Sequence, residues 1–418
     1  MSALVPEILT TEVAVIGGGI IGLGIAWEAQ RAGHAVTVID PAPATGATFA
    51  AAGMLAPVSE LHYQEDALLE LTLASAARWP AFVASLPAGL PTGFNTSPTL
   101  VLGGDPGDRQ ALSDLRDVQL RHGLEVSQLS IREARALEPL IGPQISCAYK
   151  VEQDHQVDPR VLAKTLRAAL LASARVSGSS APIYIEQAVT SLVHQDPDNT
   201  HSPVTGVLLA DGREIHAREV IVANALGSPT LAGLPDGLNL PIRPVYGDIL
   251  RLRVPENLRP LTTATVRGLV RGLPVYIVPR EDGTVVIGAT SREDHNAGVS
   301  AGGVHQLLRD AQVLLPAVAE LELLECTARA RPGTPDNAPL LGRVSGSDGR
   351  DIPGLIIATG FFRHGVLLTP IAATIVRQLL GNITDLAWEA FRPDRFSPTL
   401  RPAHTAGTTS GPTTGHTT

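Results

Sequence analysis

The sequence predicts an α/β protein, α+β overall, that opens on a βαβ unit and carries a largely antiparallel sheet later in the chain. Two observations predict this. Residues 13–40, VAVIGGGIIGLGIAWEAQRAGHAVTVID, read apolar, glycine-rich, apolar and then acidic. From residue 183 onward, short alternating stretches separated by turn signals replace the helical, leucine-rich pattern of the preceding hundred residues.

Taken in order, Glu12–Ile16 reads as a buried parallel strand and Ile20–Ala32 as a helix stopped by Gly33. Ala35–Ile39 is then the second strand. Helical patterns follow at Asp66–Val83, Arg109–Leu120, Ile131–Leu137 and Asp158–Ala174, the last with Pro159 in its first turn. Strands are expected at Ile183–Ile185, Val189–His194, Gly206–Ala210, Glu214–His216 and Glu219–Ala223. Further strands are expected at Ile249–Arg253, Val275–Val278 and Thr284–Ala289. Asp211-Gly212 and Asp282-Gly283 are hairpin turn signals between them. Gly354–Gly360 is a strand, 361–368 a loop, and Pro370–Leu380 a helix with Thr369 as its N-cap. Residues 396–418, rich in Thr, Gly, Pro and Ser, are expected to be a disordered tail.

Composition excludes several classes of function. The 418 residues are 44% hydrophobic, enough for a large core or two connected domains. A net charge of -9 with 17% charged residues leaves no basic footprint for nucleic acid and no polybasic run for a membrane surface. Lys150 and Lys164 are the only lysines, so the positive charge is almost all arginine. Cys147 and Cys326 fit no ligand spacing, and HExxH and CxxC are absent, so no metal site is expected. MSALVPEILTTE lacks a basic n-region, and no stretch reaches the roughly 18 apolar residues of a membrane span. The expectation is a cytoplasmic protein.

Gly17, Gly19 and Gly22 stand at GxGxxG spacing between the first strand and helix. Gly17 permits the tight turn, Gly19 lets a pyrophosphate approach the backbone, and Gly22 lets helix and strand pack closely. The helix N-terminus then offers free N–H groups and the positive end of its dipole. Asp40 ends the second strand, where a carboxylate accepts from a ribose diol and repels a 2′-phosphate. This Rossmann-like fingerprint predicts a dinucleotide, and by itself does not separate NAD from FAD. GATFAAAGMLAP, residues 46–57, is uncharged and small. It suits backbone packed against a flat ring, or a tight internal loop.

GGGIIG followed by AAAGMLAP resembles the D-amino-acid oxidase and glycine oxidase family of FAD enzymes, within it the glycine oxidases of thiamin thiazole synthesis. VDPRVLAKTLRAAL, YIVPREDGTVVIGAT, ARARPGTPDNAPLLGR and GLIIATGFFRHGVLLTP extend the resemblance, in the family's order, over most of residues 12–392. It implies a discontinuous FAD-binding domain (10–60, 160–235 and 330–392). It also implies an antiparallel-sheet substrate domain with a helical insert (61–159 and 236–329). Non-covalent FAD would contact Ile20, Ile21, Asp40, Ala47, Thr48, Ala52, Gly53, Met54 and Val189. The loop Phe361, Phe362, Arg363, His364, Gly365, Val366 and Leu367 would meet it too.

Departures from the pattern are Phe361 for the usual histidine, His364 for asparagine, Asn337 for glycine, and Ala225-Leu226 for the usual pair ending in tryptophan. Arg329 stands roughly where some relatives carry a flavin-linking cysteine.

Amine oxidation by a flavin asks the protein mainly to orient the substrate and stabilise charge. A guanidinium fork suits an amino acid's carboxylate. Arg331, in RARPGTPD, and Arg363, in GFFRHG, sit beside turns that fix their direction. The resemblance makes Arg331 the main carboxylate partner and places Arg363 at the flavin edge. Tyr276 is one of five tyrosines. On the residues alone it is a core tyrosine or a hydroxyl donor, and the resemblance favours the donor. Met54 lines the pocket or simply packs the core. The expected reaction takes glycine or a small secondary or D-amino acid, with O2, to an imine and H2O2. The alternatives are a dehydrogenase feeding a quinone and a flavin subunit without turnover. A homo-oligomer is implied by the resemblance.

Overall fold

The computed structural model describes residues 9–173, 182–398 and 400. The βαβ start forms as β1 (Leu9–Ile16), α1 (Ile20–Arg31) and β2 (Val36–Ile39). A single helical turn, α2 (Ala47–Ala50), and β3 (Met54–Leu55) follow. The stretch expected as one helix is two, α3 (Asp66–Ala76) and α4 (Trp79–Ala84). Pro80, in the first turn of α4, has no N–H to continue α3. Then come β4 (Thr99–Gly103), α5 (Pro106–Arg121), β5 (Ser127–Leu129), α6 (Ile131–Leu137), β6 (Cys147–Val151), β7 (His155–Gln156) and α7 (Pro159–Ser173). Next are β8 (Tyr184–Ile185), β9 (Val189–His194), β10 (Val204–Leu209) and β11 (Glu214–Val222). The last is one strand where two were expected.

The second half holds β12 (Arg243–Arg253), β13 (Thr265–Val270), β14 (Leu273–Pro279), β15 (Thr284–Gly288), α8 (Ala301–Leu314) and β16 (Glu322–Gly333). β17 (Leu340–Ser345), β18 (Asp351–Thr359) and α9 (Thr369–Leu380) complete the strands and α-helices among the described residues. Both hairpin signals sit in turns, with Gly212 at φ +86° and Gly283 at φ +79°.

Two eight-stranded sheets result. The first runs β17-β18-β11-β1-β2-β8, with β10 and β9 added beside β11. Its centre, from β18 to β8, is parallel. β1 is VAVI at residues 13–16, apolar on both faces because both faces are covered. Helices α1, α7 and α9 share one core with it, and α3 and α4 join that core through Leu68, Leu71, Trp79 and Phe82. The second sheet runs β16-β12-β15-β14-β13-β4-β6-β5 and is antiparallel except for β13 on β4. Helix α8 covers one face of it. The other face of β12, β14 and β15 looks toward Ala50 and Ala52.

Five strands of the second sheet, β4, β5, β6, β13 and β16, carry no expectation from the sequence, nor does α8. Two smaller corrections apply. The N-cap of α9 is Leu368, and Thr369 is already helical; its hydroxyl donates back to the Gly365 carbonyl rather than capping an N–H. The tail does not begin at residue 396. Ser397 and Leu400 are buried, and the Ser397 hydroxyl accepts the Asn239 amide. Residues 399 and 401–418 lie outside the described residues, as does Ala174 at the expected end of α7.

Candidate functional site

A cleft of about 750 Å³ runs between the two sheets. At one end lie Gly17, Gly19, Ile20, Ile21 and Asp40; Ala47, Thr48, Ala52, Gly53 and Met54 form a wall; Val189 adds to the lining. Phe361, Phe362, Arg363, Gly365 and Val366 line it from the loop before α9, and Tyr276 and Arg331 from the second sheet. Sequence reasoning placed these residues together.

Three residues expected at the cofactor do not line the cleft. Gly22 packs behind it: a Cβ there would lie 2.0 Å from the Gly17 carbonyl oxygen, so its role is the close approach of α1 to β1. His364 is 3% exposed and sits beneath the cleft beside Glu60. Leu367 turns its carbonyl inward to the Ser75 hydroxyl (2.6 Å) and the Trp79 indole N–H (3.0 Å).

The local chemistry fits a dinucleotide. Gly17 adopts φ +111°, open to glycine, and ends β1 in the turn that starts α1. The Thr48 hydroxyl accepts the Ile20 amide, while the Gly19 and Ile21 amides at the helix N-terminus have no partner among the described residues. These are donors for a pyrophosphate. Asp40 accepts the Gly18 and Ala42 amides, at 2.6 and 2.7 Å, which fixes its carboxylate at the end of β2. The Gly365, Val366 and Leu367 amides are likewise unpartnered among the described residues.

The second sheet supplies the charged end. Arg331 on β16 and Tyr276 on β14 lie over two glycines of the strands between them. A Cβ at Gly247 would stand 2.5 Å from the Arg331 guanidinium nitrogens, and one at Gly288 would stand 2.3 Å from the Tyr276 oxygen. Burial pushes the Tyr276 hydroxyl up to about 12, so it stays a neutral donor. Four guanidiniums line the cleft. Arg267 is paired with Glu60 at 2.7 Å, and Arg363 is paired with Glu65. Arg329 donates to the Thr45 carbonyl at 3.0 Å and to its own strand. Arg331 holds only the Thr290 carbonyl, at 3.3 Å, and has no acidic partner among the described residues.

Sequence reasoning missed Glu60, His62, Glu65 and Arg267. The signal for the first three is the abrupt return of charge in SELHYQE after the eighteen uncharged residues Pro41–Val58. Burial pushes Glu60 up, but Arg267 and Arg363 outweigh it and hold the carboxyl below its ordinary range. Burial, then Arg363, drives His364 down to about 3, so it is a neutral ring. Its Nδ1 is 3.6 Å from Glu60.

The family model of FAD-dependent oxidoreductases of the DAO type matches residues 12–379. The chain is 32% identical over 402 residues to the bifunctional protein ThiO/ThiG of Synechocystis, covering 94% of this chain and 55% of that one. It therefore spans about half the length of that relative. It is 30% identical to the glycine oxidase of Geobacillus kaustophilus over 374 residues, covering 88% and 92% of the two chains. The crystal structure of a glycine oxidase from Geobacillus kaustophilus superposes with a TM-score of 0.80 at 29% identity, covering 93% and 99%. With a dinucleotide cleft, a small-residue wall and these relatives, the chain belongs to the D-amino-acid oxidase family of FAD-dependent oxidoreductases, and FAD is its cofactor.

Proposed function

We propose that the protein oxidises glycine or a small secondary or D-amino acid to the imine, with O2 as acceptor and H2O2 as product. One observation carries this reading: Arg331 faces the cleft with no acidic partner among the described residues, beside the neutral Tyr276 hydroxyl, over a floor of two glycines. That is a charged fork and a neutral donor arranged for one carboxylate.

FAD, when bound, accepts the hydride. The chain does the rest. Arg331 and Tyr276 hold the carboxylate, which fixes the α-carbon. Glu60, kept ionised by Arg267, offers an acceptor to the amine. The Gly365 and Val366 amides offer donors where negative charge grows. Met54 limits the room beside the substrate. Pairing of Arg267 and Arg363 with glutamates leaves one fork free, which favours monocarboxylates. FAD binding is non-covalent in this reading, since neither Cys147 nor Cys326 lines the cleft. Similarity to ThiO proteins supports a role in thiamin thiazole synthesis; a cytoplasmic homo-oligomer is part of the same reading and rests on the sequence resemblance alone. Among the described residues no helix is long and apolar enough to cross a membrane.

The test is anaerobic bleaching of the purified holoenzyme by glycine, sarcosine, D-alanine and D-proline, followed by peroxide release in air. Bleaching with rapid peroxide release is the expected result. Bleaching with slow reoxidation points to a quinone-linked dehydrogenase. No bleaching by any of the four points to a flavin subunit without turnover.

A further inference from the structure

The wall of the cleft, residues 45–53, is held by three arginines: Arg160 and Arg280 lie outside the cleft lining, and Arg329 is part of it. Arg329 on β16 donates from Nε to the Thr45 carbonyl at 3.0 Å. Arg160 on α7 donates to the Phe49 carbonyl at 2.7 Å, and its guanidinium stacks 3.5 Å over the Phe49 ring. Arg280, directly after β14, donates to the Ala52 carbonyl, and its other terminal nitrogen holds Gln156 and the Val157 carbonyl. Arg280 is a buried cation, its side chain 4% exposed, with Asp158 3.5 Å away. Arg160 is itself fixed by a two-pronged pair with Glu325, at 2.7 and 3.0 Å.

In a trans peptide the N–H points opposite to the C=O. Clamping the Thr45 carbonyl therefore directs the Gly46 N–H away from Arg329, and clamping the Ala52 carbonyl directs the Gly53 N–H away from Arg280. Gly46 and Gly53 both line the cleft, and neither amide has a partner among the described residues. Gly53 has no freedom to differ. It adopts φ +73°, and a Cβ would lie 2.0 Å from the Val157 carbonyl oxygen. A guanidinium on the carbonyl also polarises the whole peptide and so strengthens the N–H on its far side.

We propose that Arg280 and Arg329 are positioning residues for FAD, acting through two peptide planes. They aim the Gly53 and Gly46 amides into the cleft as donors to the cofactor, and Arg160 anchors the turn between them. Arg280, buried and charged, also favours the more negative reduced cofactor. The proposal rests on FAD as cofactor and not on the choice of substrate, so an unsuccessful amine screen leaves it standing.

The experiment measures FAD Kd and the two-electron midpoint potential of Arg280→Gln, Arg329→Met and Arg343→Met holoenzymes. Arg280→Gln keeps an N–H for the Ala52 carbonyl and removes the charge. A tenfold loss in preference for the reduced cofactor is expected, about 30 mV lower in potential for a two-electron couple. Arg329→Met is expected to raise FAD Kd about tenfold with little change in potential. Arg343, in a buried pair with Glu219 remote from the cleft, controls for loss of a buried arginine. Its variant is expected to lose thermal stability with native Kd and potential. A native potential in Arg280→Gln overturns the proposal, as does an Arg343→Met variant that reproduces either effect. Arg329 is exposed, so its variant tests the clasp even if Arg280→Gln does not fold; an unchanged FAD Kd there overturns it.

Discussion

Replacing Gly247 by alanine isolates the Arg331 site with little cost to the fold. The new Cβ would stand 2.5 Å from both terminal nitrogens of Arg331, whereas ordinary contact begins near 3.4 Å. The guanidinium must retreat by about 0.9 Å. It is the far end of a flexible side chain with a single 3.3 Å bond to the Thr290 carbonyl, so it can move without dragging the sheet. Gly247 lies within β12, paired with Arg329 of β16 and outside the left-handed region, so its backbone tolerates alanine. Stability is therefore expected to change by less than about 1 kcal/mol. A charged hydrogen bond is worth roughly 1.5 to 3 kcal/mol, and a shift of this size loses about one of the two. The expected result is a fall of about 10- to 150-fold in kcat/KM for glycine, mostly as a rise in KM. Steady-state peroxide kinetics give the split, and a thermal melt with FAD titration shows that fold and cofactor site are intact. An unchanged KM in a well-folded Gly247→Ala enzyme refutes Arg331 as the carboxylate partner.

Other outcomes follow from the same geometry. Tyr276→Phe is expected to raise KM several-fold with kcat nearly kept, and because burial holds the hydroxyl near 12, wild-type KM has no tyrosine limb below pH 10; a KM that changes between pH 8 and 10 only in wild type would contradict this. Trp79→Phe removes the 3.0 Å donor to the Leu367 carbonyl and is expected to cost about 1 to 3 kcal/mol and to weaken FAD binding, checked by chemical denaturation and cofactor titration. His364 is neutral in the fold down to about pH 3 and gains a proton near its ordinary 6.5 when unfolded. The unfolded chain therefore binds the extra proton, and stability from this group is full above about 6.5 and lost as pH falls toward 3. His364→Asn is expected to flatten the acid limb of stability against pH by up to one proton. Asp154, raised to about 6 by burial, works in the opposite sense, so the readout is the difference between wild type and variant.

Residues 13–40 determined their own structure because the information is local. A buried strand, three glycines, an apolar helix and an acid occupy one contiguous stretch, and β1, α1 and β2 form within a residue or a few of where the pattern puts them. The uncharged wall at 46–57 and the two arginines were legible for the same reason: unusual composition beside turn-forming glycine and proline. β16 was not legible. It carries Glu322, Glu325, Arg329 and Arg331 on an edge, and no period-2 apolar face announces a strand. Its neighbour β12 decides it, and with it the position of Arg331. Only the tertiary structure brings Glu60, Glu65 and Arg267 to the cleft, 207 residues separating Glu60 from its arginine. Which arginines are free is likewise a tertiary fact, because a guanidinium's partner is set by what the fold places within 3 Å and not by its neighbours in the chain.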